Sequence, residues 1–232
     1  MINRSDLAGR IADGVGGQLQ LLSAQHMLEV CDESVVQITA ASVAHSTRDF
    51  RVLASAKPNN WPDGDGKRLD IGLTASSAGA STWYGAVEVK YLSSTTTAQN
   101  ARLPLLQDCA RLASVETTNL NAKLLVAAFV DGMLDAVFTT PHPRAVDAEQ
   151  QRVVLGQLLH LTLPDTSSPV GHDVLTAAFP SYQTRVPSSA AWTDRGLEAE
   201  LLARRDFHAL GQRVGTVCVW QVNKTVGRPS GT

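Results

Sequence analysis

Two short apolar runs of the sequence carry charged residues whose types could together perform phosphate chemistry. Asp70 lies in the run 67–73, and Glu88 and Lys90 lie in the run 85–92. Two converging carboxylates suit a hard divalent cation such as Mg²⁺, which prefers oxygen ligands and keeps bound waters. A lysine beside them could orient or help deprotonate an attacking water and offset charge on a phosphate. These residues predict metal-assisted phosphodiester hydrolysis, with Mg²⁺ or Mn²⁺ as the ion.

Both runs have the length of strands and are bounded by turn residues. Residues two apart on a strand point to the same face, so Glu88 and Lys90 should project together while Val89 faces the other side. Asp70 joins them if its strand is the hairpin partner of the second run. The backbone carbonyl of Val89 could add another oxygen. The predicted metal ligands are therefore Asp70, Glu88 and Val89.

The segments around the two runs predict further helices and strands that would position them. Asp32 and the residues after it read as the cap of a helix ending near Ser46, and residues 50–56 read as a first strand. After the second run, residues 103–113 keep helical spacing, and residues 123–130 form an apolar run short enough for a buried strand. A strand, helix and strand in this order predict a parallel crossover.

The two ends of the chain have less regular patterns. The first residues predict a short helix over 5–13 with Ser5 as its N-cap, a break at the glycine-rich stretch 14–17, and a second helix toward Val30. Toward the other end we expect a helix over 146–161, a loop over 164–169, a strand over 216–222 and a frayed tail over 223–232.

With 232 residues, 44% of them hydrophobic, the chain can build one large core without disulfides. We expect one α/β domain with a helical segment over 1–31, a core over 32–163 that holds both runs, and a C-terminal extension over 164–232 packed on it, with a separate subdomain from about Pro164 as the alternative. The sequence contains no long apolar run and does not begin with a leader-like segment, and its three scattered cysteines read as buried thiols. These features predict a cytoplasmic location without a membrane partner.

The formal net charge of −2 offers no general attraction to a polyanion. It counts against broad nucleic-acid binding but leaves room for a local basic cleft. Arg204, Arg205 and Arg213 lie close together in the sequence, and we interpret them as part of a solvated helix face.

The order of the segments and the charged residues together resemble the PD-(D/E)XK nuclease superfamily. Its restriction-endonuclease-like α-β-β-β-α-β core carries the Asp on the second strand and the E-x-K on the third, which Asp70 and Glu88-Val89-Lys90 match. The resemblance spans about residues 32–130. It implies an α/β fold with a central mixed sheet flanked by helices, a Mg²⁺ or Mn²⁺ cofactor, and a nucleic acid, with DNA favoured, as partner. It also implies an acidic residue early in the first helix, best matched by Glu33, with Glu29 as the alternative.

The chain departs from the family pattern at two points. Leu69 precedes Asp70, and the literal Pro62-Asp63 lies in a turn. The Gln-x-x-x-Tyr element of some exonuclease-like members is absent, because Arg111 follows Gln107 at that spacing. Gln107, Asp108 and Arg111 could line the site from the following helix, but we favour the polar face of an amphipathic helix and leave them out of the catalytic set.

Two functions follow from these observations. The first is a metal-dependent nuclease with Asp70, Glu88, Lys90 and Glu33 as its catalytic set, and the intact set of charges favours it. The second is a catalytically silent domain of the same fold that acts as an interaction or structural module, and the near-neutral net charge favours that alternative. The sequence leaves the target, a homo-oligomeric state and the choice between DNA and RNA open.

Overall fold

A single mixed β-sheet forms the centre of the protein in the computed structural model. The model describes residues 2–47, 50–56, 68–77, 80–94, 97, 101, 104–105, 108–109, 111–113, 115, 121–139, 160–163 and 197–224. The sheet has seven strands in the order β1-β2-β3-β4-β7-β6-β5. The strands are β1 (Arg51–Ala56), β2 (Leu69–Ser77), β3 (Ala80–Leu92), β4 (Ala122–Val130), β5 (His160–Leu163), β6 (Leu197–Ala209) and β7 (Gln212–Lys224).

Helices cover both faces of this sheet, so the predicted α/β class with a mixed sheet flanked by helices is confirmed. One apolar cluster joins α1 and α2 to one face, and a second joins α3 and α4 to the other. The helices are α1 (Arg4–Ala24), a 3-10 turn (Leu28–Val30), α2 (Glu33–Ser46), α3, of which the described residues between 101 and 113 are helical, and α4 (Met133–Thr139).

The strand directions agree with the order expected between residues 32 and 130. β1, β2 and β3 are antiparallel neighbours, and β3 pairs with β4 in parallel after the connection through α3. The elements from α2 to β4 therefore follow the order α-β-β-β-α-β. The predicted parallel pairing is confirmed. The turn expected to hold Pro62-Asp63 lies outside the described residues.

The prediction that glycines break the first helix is wrong, because α1 is continuous and begins after Asn3 rather than at Ser5. The glycines allow close packing. A methyl group added at Gly14 would lie 2.4 Å from Val43 Cγ2 on α2, and one added at Gly16 would lie 2.7 Å from Arg205 Cγ on β6. Neighbouring elements thus occupy the space that larger side chains would need.

The C-terminal part differs most from expectation. Arg204, Arg205 and Arg213 lie on strands β6 and β7, not on a helix. The predicted helix over 146–161 is wrong at residues 160–161, which belong to β5, while 146–159 fall outside the described residues. The strand expected over 216–222 is confirmed within β7. The tail expected over 223–232 is wrong at residues 223–224, which still belong to β7, and residues 164–169 and 225–232 lie outside the described part.

The long hairpin of β6 and β7 pairs with β4 through β7, so these C-terminal strands extend the same sheet as the rest of the core. Cys109 and Cys218 are buried thiols as expected, whereas Cys31 is only partly buried. No helix in the described part of the chain is both long and apolar enough to cross a bilayer.

Candidate active site

Asp70 lies at the point where β2 and β3 separate. The antiparallel ladder between the two strands ends at Ile71 opposite Val87. Beyond this pair, Asp70 Oδ2 accepts a hydrogen bond of 2.8 Å from the backbone N–H of Val89. The carboxylate therefore takes the place that a β2 backbone acceptor would have in a continuing ladder.

The backbone of β2 is irregular at this residue. Leu69 belongs to the apolar cluster on the α3 face and Ile71 to the cluster on the α1–α2 face, although residues two apart on a regular strand share a face. On β1, Ser55 lies between the partners of these two residues and has a φ of 50°. Gln37 on α2 donates a 2.8 Å hydrogen bond to the backbone oxygen of Asp70. Side chains and a local distortion thus turn the Asp70 carboxylate toward β3.

Glu88 is the buried carboxyl group of the site, with 1% of its surface exposed. Burial raises its pKa well above the usual range, and the nearby charge of Asp70 raises it further. The charges of Arg111 and Lys90 oppose this rise and are outweighed. A hydrogen bond between the Glu88 and Asp70 side chains contributes in the upward direction. The two carboxyl groups are therefore neighbours, and the raised pKa favours the protonated form of Glu88.

Lys90 bridges two helices from its position on β3. Its Nζ lies 3.1 Å from both carboxylate oxygens of Glu33 on α2 and 3.1 Å from Asp108 Oδ2 on α3. The Lys90 side chain is 16% exposed, and that of Glu33 is 43% exposed. Glu33 therefore contacts the lysine on the solvent side of the site, and no hydrogen bond or ion pair recorded for the described residues joins it to Asp70 or Glu88.

The start of α2 explains the position of Glu33. Asp32 is the N-cap, and its Oδ1 accepts hydrogen bonds of 2.9 and 3.4 Å from the backbone N–H groups of Ser34 and Val35. The predicted cap is confirmed, and it fixes Glu33 in the first turn. Glu29, the alternative to Glu33, lies in the 3-10 turn that precedes this cap.

The interpretation of Asp108 and Arg111 as a polar surface is wrong, because both side chains belong to the site. Asp108 is 1% exposed, and the Arg111 side chain is 14% exposed. Arg111 Nε lies 3.4 Å from Glu88 Oε1, and Arg111 Nη2 contacts Asp108 Oδ1. Gln107 lies outside the described residues.

The spacing within α3 indicates that Asp108 is buried, which favours the alternative in which it lines the site. Leu105, Cys109 and Leu112 are buried on one side of the helix, and Asp108 falls on the same side, three residues after Leu105 and four before Leu112. An acidic residue inside an apolar stripe requires a cationic or hydrogen-bonding partner. In the structure these partners are Lys90 on β3 and Arg111, one turn further along α3.

The balance of charge at the site leaves room for a cation. Four carboxyl groups surround it, and two cationic side chains oppose them. The direct contact between the Asp70 and Glu88 carboxyl groups would be relieved by a divalent ion, which also prefers oxygen donors. The N–H and C=O of one strand residue point to the same neighbouring strand. The Val89 N–H points to Asp70 on β2, so the Val89 carbonyl also faces β2. The donors therefore fit Mg²⁺ chemically.

This fit depends on two carboxylates and a backbone oxygen. Among the residues that the structure describes, no three His, Cys, Asp or Glu side chains form a ready group for holding a metal ion. Glu33 would need to leave Lys90 in order to complete a metal shell. The Asp70–Glu88 pair is thus the part of the predicted ligand set that the geometry favours.

An open cavity of about 770 Å³ lies beside the site, near the carboxyl ends of the parallel strands β3 and β4. The described residues that line it include no Lys or Arg, so this wall does not attract a polyanion by its charge. Its carboxylate side chains are those of Glu29, Asp32, Glu33 and Asp131, and His26 is the basic residue among the described lining.

The predicted residues therefore meet in one connected network. Asp70 contacts Glu88 and the Val89 amide, and Lys90 is linked to Glu33. Sequence reasoning did not include Asp108 and Arg111, which connect Lys90 to Glu88. Comparisons of the chain with protein-family models, with curated proteins and with solved structures found no match.

Proposed function

We propose that this protein is a Mg²⁺-dependent phosphodiesterase of the PD-(D/E)XK type that cleaves nucleic acid, with DNA as the favoured substrate. The observation that carries the proposal is the contact between the Asp70 and Glu88 carboxyl groups where β2 and β3 separate. Lys90 lies two residues further along β3, as the Glu-x-Lys pattern requires. The α-β-β-β-α-β order from α2 to β4 supports a restriction-endonuclease-like core.

Asp70 and Glu88 would hold the metal ion, with the Val89 carbonyl as a further oxygen donor. When bound, Mg²⁺ or Mn²⁺ lowers the pKa of a water molecule and stabilises negative charge on the phosphate. The donor set suits either ion because it consists of oxygen atoms only.

The residues of the chain each have a separate task in this proposal. The Val89 amide fixes one oxygen of Asp70, so the carboxylate keeps its direction when Glu88 loses its proton. Lys90 orients a water and offsets charge that develops on the phosphate. Glu33 and Asp108 hold the Lys90 ammonium from two sides. The buried side chains of α3 cover Glu88 and limit the access of bulk water.

A catalytically silent interaction module is the second candidate, and two observations favour it. Lys90 and Arg111 both contact the buried Asp108, so neither cation is reserved for a phosphate. The described wall of the neighbouring cavity is acidic. In this function the charged cluster would stabilise the junction of α3 with the sheet and would bind no substrate.

Cleavage of plasmid and linear DNA with Mg²⁺, Mn²⁺ or EDTA tests the first candidate. We expect metal-dependent cleavage by the wild type and a loss of about 100-fold or more in Glu88→Gln, which removes a metal ligand, and in Lys90→Met, which removes the cation that offsets charge on the phosphate. Glu200→Gln is the matched control, because Glu200 is an exposed glutamate on β6.

The outcomes separate the two candidates. Equal cleavage by the wild type and Lys90→Met would remove Lys90 from the mechanism. Cleavage that persists in EDTA would contradict the metal site. No cleavage of DNA or RNA with either metal, together with no Mn²⁺ binding by the folded wild type, would leave the silent module as the function.

A further inference from the structure

Arg111 has no task in the reaction proposed above, yet it contacts the acidic centre of the site directly. Its Nε lies 3.4 Å from Glu88 Oε1, and its Nη2 contacts Asp108 Oδ1. Both carboxyl groups are almost completely buried. Arg111 is thus a cation held between two buried carboxyl groups, one of which is a proposed metal ligand.

A metal ion and the guanidinium of Arg111 would compete for Glu88. Both need the Glu88 carboxylate, and Oε1 already faces Arg111. Two positive charges on a metal would repel the guanidinium over a few ångströms in a poorly solvated site. Binding of the ion should therefore weaken the contact between Arg111 and Glu88.

Asp108 would keep Arg111 at the site after this contact is lost. The two residues are three apart on α3, so they remain neighbours without any movement of the backbone. The Arg111 side chain is 14% exposed, which gives the guanidinium a route to the surface. A guanidinium has donors on several sides and binds phosphate oxygens in pairs. Asp108 can hold one side of it while another side faces a phosphate.

We propose that Arg111 is an exchangeable partner of Glu88: it contacts the Glu88 carboxyl group in the metal-free protein and turns to a substrate phosphate when a divalent cation binds. Asp108 acts as the positioning residue that retains Arg111 during the exchange. This inference rests on the proposed function, because it requires a cation at Asp70 and Glu88. It adds a phosphate-binding arginine and a metal-dependent change of partner to that site.

Direct binding of Mn²⁺ to the full chain, measured by electron paramagnetic resonance and by calorimetry, tests the first half of the exchange. Arg111→Met should bind Mn²⁺ about tenfold or more tightly than the wild type, because a competing positive charge has been removed. Arg111→Lys should stay within about threefold of the wild type, because it keeps the charge. Asp70→Asn should lose the binding in both the wild-type and the Arg111→Met backgrounds.

Cleavage kinetics at saturating Mn²⁺ test the second half. Arg111→Met should show a kcat/KM at least about tenfold below that of the wild type in spite of its tighter metal binding, because a phosphate ligand is missing. Opposite changes in metal affinity and cleavage distinguish exchange from a purely structural role, which would lower both. Thermal unfolding of each variant establishes that it is folded at the assay temperature.

The results separate failure of this inference from failure of the proposed function. Equal Mn²⁺ affinities in the wild type and Arg111→Met, with binding lost in Asp70→Asn, would overturn the exchange and leave the metal site standing. Unchanged cleavage by Arg111→Met would overturn the transfer to phosphate. Mn²⁺ binding by Arg111→Met alone would show that Arg111 blocks the site permanently and would also overturn the transfer. No binding in any folded variant would overturn the metal site and, with it, the exchange.

Discussion

Glu88 and Asp206 are both carboxyl groups beside an arginine, but the protein shifts their pKa values in opposite directions. Glu88 lies in the buried cluster under α3, and its pKa is raised by burial and by the charge of Asp70. Asp206 lies on the exposed β6–β7 hairpin. Partial burial pushes its pKa upward, but hydrogen bonds from Thr216 and Arg204 and the charges of Arg204 and Arg213 outweigh burial and lower it.

The difference comes from solvation and from the second neighbour of each acid. The side chains of Asp206 and Arg204 are each about one-third exposed, and Thr216 Oγ1 donates a 2.6 Å hydrogen bond to Asp206 Oδ1. Glu88 is desolvated and has another carboxyl group in contact with it. An arginine alone therefore does not keep a buried carboxylate ionised when a like charge lies beside it.

The largest expected contrast between the two regions concerns the removal of one acid from an ion pair. We expect Asp108→Ala to lower the free energy of unfolding by about 3 kcal/mol, because Lys90 and Arg111 both lose a buried acceptor. Urea unfolding at pH 7 measures this change. Asp13→Ala is the matched control on α1, where an exposed aspartate lies 3.7 Å from Arg205, and we expect a change of about 0.5 kcal/mol or less.

Removing one partner of a buried ion pair usually leaves an uncompensated charge that costs several kcal/mol of stability. A loss of unfolding free energy below about 1 kcal/mol in Asp108→Ala would therefore contradict a required role of Asp108 in the cluster. Such a small loss would mean that Glu88 ionises in the variant and replaces Asp108 as the ion-pair partner of Arg111. A change for Asp13→Ala as large as that for Asp108→Ala would erase the contrast between the buried and the exposed pairs.

The second prediction concerns the pH dependence of stability at Glu88. Its raised pKa means that the folded protein keeps a proton that the unfolded chain releases, so stability is lost as pH rises above the ordinary value of 4.5. Glu88→Gln removes this loss. In EDTA, which removes metal ions, the free energy of unfolding of Glu88→Gln should rise relative to that of the wild type. The difference should grow by up to about 1.4 kcal/mol for each pH unit in which Glu88 is ionised only in the unfolded state.

Denaturant unfolding of both proteins between pH 4.5 and 8 measures this gain. Glu200→Gln should run parallel to the wild type, since Glu200 is exposed on β6. Parallel profiles for Glu88→Gln and the wild type would show that Glu88 is ionised at neutral pH, contrary to the contrast with Asp206.

The sequence predicted the parts of the site that depend on local chemistry. The Asp32 cap could be recognised because its side chain bonds the backbone two and three residues ahead. Apolar runs with fixed spacing located β2, β3 and β4, and these carry Asp70, Glu88 and Lys90 into one network. Such features need no knowledge of distant parts of the chain.

The features that were missed depend on packing between distant segments. The glycines of α1 look like helix breakers until Val43 and Arg205 are found against them. The polar and apolar alternation of β6 is interrupted in its middle, where the register shifts between Leu201 and Ala203. Asp108 could have been recognised from the apolar stripe around it, but its partners come from β3 and from the next turn of α3. Contacts between segments distant in the sequence therefore determine these features, and local patterns alone do not predict them.

The smallest expected effect is the removal of the charge of Asp206, and its sign is opposite to that of Glu88. The lowered pKa means that Asp206 stabilises the fold above its ordinary value of 3.8 and that this stabilisation is lost as pH falls through the lowered value. Asp206→Asn should cost about 0.5 to 1 kcal/mol at pH 7, because the group is partly exposed and screened by solvent.

Denaturant unfolding from pH 2.5 to 7 should show the wild type and Asp206→Asn converging at the acid end. High salt should reduce the difference at pH 7, since the Arg204 contact is open to screening. Thr216→Val removes the hydroxyl donor to Asp206 while keeping its size, and so measures the part of the effect that salt should not change. A gain in stability for Asp206→Asn at neutral pH would mean that this exposed pair behaves like the buried one, so that solvent exposure does not separate the two regions.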